Sequence, residues 1–391
     1  MSSLEVMDLL YRIVSSKSVF GEEYECGMLL AEIARSEGLV VEIQPIADRR
    51  DNILITLGAD SYRSSRHGLL FHGHYDTVPA LDMPDAFDVG IRDGFLRGRG
   101  AVDQKGGLTA ALAALIAMKR SGRKLKRSIC LAAVVDEESE HRGSYTLARE
   151  GIRADYAIVT EPTNLSKVEF GCRGSAPLQI MVEGRTAHAG SAAEGINAIE
   201  KALPVLERLF DLEFLPLDLG ELGEVRGSLC VSIMEAGTGY NNVPHQAVIW
   251  MDRRTVPGED TAFALAEVQS VLDQVKKEDP GFSARVRVAR PDWSWPPIIE
   301  RGLNPTLTPA DTELFSVLEK AAAKCGMGKP SKAFANCYYD MDFLVNDLGI
   351  PTLVYGPGDG RLNHSAREAV AVDDVCRAAE LFCHVSGALC L

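Results

Sequence analysis

The chain has 391 residues, with 41 Lys and Arg against 55 Asp and Glu, for a formal net charge of −14 and a sequence pI of about 5.1. This balance excludes a nucleic-acid backbone or an anionic membrane surface as the main partner, because both would repel it, and no apolar run reaches the ~20 residues of a membrane span. The length exceeds what a single hydrophobic core organises and predicts two or three domains. In chain order, MSSLEVMDLLYRIVSSK has acidic residues inside its apolar pattern, so it reads as an amphipathic helix and not a signal peptide. Helices are expected over 3–14 and 24–37. Short buried strands follow at 52–57 and 68–73, then a strong helix at 108–122 that ends in basic residues and glycine. Residues 128–136 and 154–162 are continuous apolar runs, typical of strands covered on both faces. Alternating strand and helix is the pattern of a parallel α/β sheet.

Near Gly174 the texture changes. The order becomes strand, helix, strand, strand, helix, strand, with period-2 alternation in the strands, which suits a small antiparallel sheet with helices on one side. PDWSWPP (291–297) reads as a linker whose Trp293 and Trp295 pack at a domain junction. A helix over 311–326, a strand in GIPTLVYGPG and a closing helix over 372–389 complete the chain. The expected architecture is an α/β domain with a mostly parallel sheet and helices on both faces, formed by 1–175 and 293–391 and interrupted by an inserted α+β domain at 176–292. The nine cysteines are odd in number and lack paired spacing, so they read as buried thiols of a reduced, cytoplasmic chain.

Open α/β sheets bind ligands beyond the carboxyl ends of their strands. There this chain collects its histidines and carboxylates: His72, His74 and Asp76 after LLF, Asp136, Glu137 and Glu138 after Val135, Glu161 after Thr160, and His364 beyond TLVYG. Asp103 joins them from the glycine-rich GRGAVDQKGG that precedes the long helix. Singly, each has an ordinary reading: a helix cap for Asp103, a solvated loop for Glu137 and Glu138, turn chemistry for Glu161 before Pro162. Their coincidence at one sheet edge points to a metal site. Histidines and carboxylates without thiolate suit zinc, cobalt or manganese over copper or an iron–sulfur cluster. A two-metal site needs a bridging carboxylate plus a terminal His and carboxylate for each ion, which leaves Glu137 over as a base.

The ordered set HGHYD, GAVDQKGG, DEESE, TEPT, GRTAHAG, YNNVPHQAVIWMDRR and NHSARE, spanning 70–370, resembles the co-catalytic zinc amidohydrolases and exopeptidases. That family includes acetylornithine deacetylase, succinyl-diaminopimelate desuccinylase, glutamate carboxypeptidase and aminoacylase. The resemblance implies that His74, Asp103 and Glu161 hold one divalent ion and Asp103, Glu138 and His364 the other, zinc first, with cobalt or manganese as alternatives. It implies that Asp76 hydrogen-bonds the His74 ring and fixes its tautomer, that Glu137 is the general base toward a water between the ions, and that the peptide Asp103–Gln104 is cis. It makes the inserted domain a lid that mediates a homodimer. His188 would reach the partner subunit's active site to stabilise an oxyanion, and Asn241 and Arg254 would bind a substrate carboxylate.

Gly356, in Gly356-Pro357-Gly358, is read as admitting the substrate backbone closely. Asp340 matches an aspartate of the family, Glu368 is kept, and Arg367 stands where Asn is common. Asp342 stands where the desuccinylase pattern has arginine. It is read as disfavouring a succinyl group and meeting the amine of a basic amino acid, so a neutral acyl group such as acetyl is expected. His72 is read as support, and His67, His141, His245 and His384 as structural or surface residues. The resulting reading is metal-dependent hydrolysis of an N-acyl amino acid. A dipeptidase or carboxypeptidase with the same centre is the alternative. A non-catalytic binding protein is disfavoured because the base and all five ligand positions are present.

Overall fold

The continuous apolar runs build the centre of a large sheet. In the computed structural model, which describes residues 1–64 and 66–391, His67–His74 and Ile129–Val134 are buried along their whole length. With Ala154–Val159 and Thr352–Val354 they form the parallel middle of a nine-stranded sheet. Its order is Val40–Ala47, Arg50–Leu57, Ile129–Val134, His67–His74, Ala154–Val159, Thr352–Val354, Lys167–Cys172, Thr306–Leu307, and Ser331–Ala335 also pairs with Lys167–Cys172. Val40–Ala47 with Arg50–Leu57, Arg50–Leu57 with Ile129–Val134, and Thr352–Val354 with Lys167–Cys172 pair antiparallel, so the sheet is mixed but parallel where it matters. The register sets His74 beside Val134 and His72 beside Val159, which brings these carboxyl ends out at one edge.

Helix Lys105–Arg120 starts directly after the Asp103 turn and packs along Val372–Cys390 and Ser3–Ser15. Its first turn presses on the sheet edge. A Cβ added to Gly107 would stand 1.9 Å from the Thr160 carbonyl oxygen, so only glycine lets the helix come this close. Ser2 and Glu5 close a reciprocal capping box at the start of Ser3–Ser15. Among the described residues, no helix is long and apolar enough to cross a membrane.

Two compact units make up the chain. The first is Met1–Gly171, Leu307–Ala335 and Tyr339–Leu391; the second is Cys172–Thr306 with Asn336–Tyr338. The second unit is a four-stranded antiparallel sheet, in the order Ser228–Ala236, Gln246–Thr255, Gly174–Glu183, Ala284–Val288, covered by helices Ala198–Phe210 and Thr261–Glu278. Period-2 alternation builds its core: Ala176, Leu178, Ile180 and Val182 interleave with Ala247, Ile249 and Met251 beneath the helices' buried stripes. The chain leaves this unit at Thr306, later than the expected 292. Residues beyond 292 stay tied to it: the Ser175 N–H donates to the Leu303 carbonyl at 2.9 Å, and the Thr261 N–H to Asn304 Oδ1 at 3.3 Å. The proline pair in PDWSWPP opens the short helix Pro296–Arg301 and does not mark a bare linker.

Candidate metal centre

Strand ends and the loops beyond them place every side chain of the centre. His74 is the last residue of His67–His74 and is 1% exposed. Its Nε2 lies 3.0 Å from Asp103 Oδ1 and 3.5 Å from Glu161 Oε1. The other oxygen of Asp103, Oδ2, lies 3.3 Å from His364 Nε2, which is 3.0 Å from Glu138 Oε1. Asp103 therefore stands between two three-residue groups, His74–Asp103–Glu161 and Asp103–Glu138–His364, and in each group the ligand-type atoms lie within 4.8 Å of one another. Glu137 Oε2 is 3.9 Å from His74 Nε2. His364 and Asp136 both adopt left-handed backbone angles, φ 57° and 71°, a conformation that recurs at functional turns. The Asp103–Gln104 peptide is cis.

The supporting contacts are specific. Asp76 Oδ1 and Oδ2 accept the N–H groups of Glu137 at 3.2 Å and Glu138 at 3.0 Å. The Asp76 carboxylate is 3.5 Å from His74 Nδ1, but the hydrogen bond to that nitrogen, at 3.0 Å, is made by the Asp76 backbone carbonyl. Asp76 thus fixes the ring mainly through its main chain, while its carboxylate anchors the Glu137–Glu138 turn. Gln104 Nε2 donates to Glu161, and Gln104 Oε1 accepts from Thr160 Oγ1 at 2.8 Å, so Glu161 is also oriented.

Charge is unbalanced here. Among the described residues, no Lys or Arg forms an ion pair with Asp103, Glu137, Glu138 or Glu161; only His74 and His364 oppose them. Burial and the neighbouring carboxylates push Glu137 well above the usual carboxylate range. Burial and the Asp103 charge raise Glu138 and lift Glu161 to about 7. Burial also acts to raise Asp103, but hydrogen bonds from His364 and His74 outweigh it and hold the group low. Hydrogen bonds to Asp103 and Glu138 raise His364 to about 10. Burial opposes protonation of His74, yet Asp103, Asp76 and Glu161 raise it well above an ordinary histidine. A buried centre with this surplus of negative charge and only N and O donors fits hard-to-borderline divalent cations.

Two further residues adjoin Glu137. His141 Nδ1 lies 2.9 Å from Asp340 Oδ1, and Ser144 Oγ donates to Asp340 Oδ2 at 2.5 Å. Glu137, His141 and Asp340 also bring ligand-type atoms within 4.8 Å of one another. Because Ser144 donates its one hydrogen to Asp340, the 2.8 Å contact from His72 Nε2 must be donated by His72. Burial holds His72 neutral, with its pKa down to about 4. His72 therefore supports Asp340 through Ser144. His141, read from sequence as structural or surface, is buried beside Glu137. Ser144 was not singled out, and nothing in its helical context marks it.

Two residues read as substrate contacts are constrained by the protein itself. Asp342 is 0% exposed and accepts from Asn346 Nδ2 at 2.7 Å, so its carboxylate is enclosed in the protein and does not await a substrate amine. A Cβ on Gly356 would lie 2.4 Å from the Thr160 carbonyl and 2.7 Å from that of Glu161. Glycine is therefore required there by the strand end that carries Glu161.

In the second unit, His188 is exposed; its Nδ1 accepts the Gly190 N–H at 3.0 Å. A bridge joins it to Asn242, and the Asn241 carbonyl accepts the Ala189 N–H at 2.8 Å, so His188 and Asn241 share one edge. Arg254 lies elsewhere, with Nε donating to Asp252 Oδ2 at 2.8 Å. From Gln246, just beyond Asn241, to Arg254 the strand covers roughly 26 Å at ~3.3 Å per residue.

The chain is 29% identical over 332 residues to acetylornithine deacetylase of Myxococcus xanthus, covering 84% of this chain and 81% of that protein. It is 27% identical over 414 residues to a probable succinyl-diaminopimelate desuccinylase of Staphylococcus epidermidis, covering 95% of each. Its fold is shared with the crystal structure of aminopeptidase PepT from Bacillus cereus, at a TM-score of 0.78 with 21% identity over 98% of both chains. The model of peptidase family M20/M25/M40 matches residues 70–387, and the chain belongs to that family.

Proposed function

We propose that this protein hydrolyses the amide bond of an N-acyl amino acid at a centre of two divalent cations, zinc first, with cobalt or manganese as substitutes. Membership in the peptidase family makes the chain an amide hydrolase. The observation that carries the dinuclear reading is the divided Asp103 carboxylate, with one oxygen toward His74 and the other toward His364. His74 and Glu161 would complete one ion's ligands, and Glu138 and His364 the other's. When bound, two such ions supply an acidified water and an electrophile for the scissile carbonyl. Glu137, held beside both groups by the Asp76 anchor on its N–H, takes a proton from the attacking water and returns it to the departing amine. The acyl–nitrogen bond breaks and the carboxylic acid and amine leave.

The second unit supports a homodimer. Ser228–Ala236 is an edge strand with Ile233 and Met234 exposed, and the adjacent helix exposes Leu203 and Phe210. His188 and Asn241 lie too far along the sheet from Arg254 for one copy to offer all three to a single amino-acid-sized ligand. A second copy would supply His188 and Asn241 as oxyanion and carboxylate contacts, and Arg254 is proposed as a separate contact to the substrate carboxylate. Sedimentation velocity tests the dimer. Among the described residues no disulfide joins any of the nine cysteines, which supports a reducing, cytoplasmic setting.

The test of function is a panel of N-acetyl, N-succinyl and dipeptide substrates on protein loaded with zinc or cobalt, with metal content measured in parallel. N-acetyl amino acids are expected to turn over, the acetyl group being proposed on the deacetylase likeness now that Asp342 gives no reason for it. A preference for dipeptides would assign the exopeptidase form of the same chemistry, and no turnover of any amide would overturn the reading.

A further inference from the structure

The Asp103 carboxylate faces both ligand groups, so whatever fixes its main chain fixes both. That support comes from outside the centre. Glu368 Oε1 accepts the N–H of Val102 at 3.0 Å and of Asp103 at 3.2 Å, and its Oε2 accepts Arg99 Nη1 at 2.6 Å. Arg99 donates its remaining fork to two carbonyls, Nε to Pro79 at 3.1 Å and Nη2 to Ala80 at 2.9 Å. The two side chains are 1% and 0% exposed. Every strong contact of Glu368 is taken by these donors, so it is not itself a candidate ligand.

The connectivity gives the arrangement its purpose. Glu368 lies just beyond His364, Pro79 and Ala80 just beyond Asp76, and Arg99 just before Asp103. One ion pair therefore ties together three of the loops that carry the centre while touching none of its ligand atoms. Its charges cancel, so it adds nothing to the surplus of negative charge. A buried ion pair is seldom worth more in stability than apolar packing of the same volume. A carboxylate accepting two successive N–H groups does what apolar packing cannot: it sets the direction of the peptide from which the Asp103 side chain projects.

We propose that Arg99 and Glu368 are a positioning pair that sets the spacing between the His74 and His364 sides of the centre by holding the Val102–Asp103 main chain. The proposal rests on Asp103 bridging two ions, and metal binding by the unaltered protein tests that premise separately. Two double variants avoid a stranded buried charge. Arg99→Met with Glu368→Leu removes the acceptor; Arg99→Met with Glu368→Gln keeps an amide oxygen for the two N–H groups.

Cobalt and zinc titration against a competing chelator should show two tight ions in the unaltered protein and about 10–100-fold weaker binding of at least one ion in the Leu variant, the range expected when a supporting contact is lost. The Gln variant, which loses the Arg99 fork but keeps an acceptor for the two N–H groups, should weaken binding only severalfold, as an orientation effect requires. In the metal-free Leu variant, hydrogen exchange should quicken at Val102 and Asp103 by tenfold or more while strand His67–His74 keeps its protection. A purely structural role would loosen both together. Arg99→Lys, which retains charge but loses the fork, serves if the Leu variant does not fold; it should weaken binding severalfold.

Unchanged affinity in the Leu or Lys variant, equal loss in the Leu and Gln variants, or exchange that rises uniformly would overturn the proposal. Binding of fewer than two ions by the unaltered protein would instead remove the bridging premise, and the proposal with it.

Discussion

Strand His67–His74 carries a buried histidine at each end, and the two ends behave as opposites. His67 Nε2 donates to the Tyr62 carbonyl at 3.0 Å and Nδ1 meets Ser128 Oγ at 2.8 Å, all neutral partners, and burial lowers its pKa. His74 is as buried but faces Asp103, Glu161 and Glu137, and its pKa is raised. Residue type, strand and burial are the same. What differs is the edge: the carboxyl ends of the parallel strands all open where His74 sits, and around it stand Asp103, Glu137, Glu138 and Glu161, with which no Lys or Arg among the described residues forms an ion pair. Uncompensated charge, rather than burial or residue type, separates a core histidine from one positioned for a cation.

Removing the cations should break the His74 end most completely. Dialysis against a chelator is expected to abolish turnover and to lower Tm, because ligand binding to the native state alone stabilises it; returning zinc or cobalt should restore both. Activity that survives chelation would contradict the dinuclear reading. Next in size is Glu137→Gln. It removes the base but no proposed ligand, so kcat should fall about 10²–10⁴-fold while metal analysis still finds two ions. Smaller again is Asp76→Ala. The Glu137 and Glu138 N–H groups lose their acceptor, and metal affinity should fall about 10–100-fold in a chelator competition. An Asp76→Ala protein with unchanged affinity would show that the main-chain bond to His74 suffices.

How much of this was legible in the sequence follows from the same edge. His74, Glu138 and Glu161 could be placed together because an apolar run announces a strand, and parallel strands end on one side. His364 and Asp103 were legible as polar residues in glycine-rich turns at that edge. Partners distant in sequence were not. Arg99 in RGRGAVD looks like a solvated basic residue, and nothing local reveals a carboxylate 269 positions away. His141 could be read only as structural or surface, because its partner Asp340 lies 199 positions on. Asp342 and Gly356 were given substrate roles from their place in a motif, which says nothing of where a carboxylate points or a missing Cβ would fall. The proline-rich segment after residue 290 misled for another reason: proline is as welcome in the first turn of a helix as in a linker.

The smallest predicted effect belongs to the other end of the strand. His67→Gln keeps a donor and an acceptor for Tyr62 and Ser128 and lies away from the candidate centre, so kcat/KM should stay within about twofold and stability should fall by about 1–2 kcal/mol at pH 7.5. Its signature is in pH. The folded-state pKa of His67 is lowered, so as pH falls below about 6.5 the unfolded chain takes up a proton that the folded chain refuses. The unaltered protein therefore loses stability on acidification through this residue, by up to about 1.4 kcal/mol per pH unit. Glutamine does not titrate. The stability gap between the two proteins should be widest above pH 7 and narrow toward pH 5, measured as paired denaturant melts on metal-free protein. A gap that stays constant or widens on acidification would mean that His67 is charged in the folded state, and the contrast between the two ends of the strand would then rest on geometry alone.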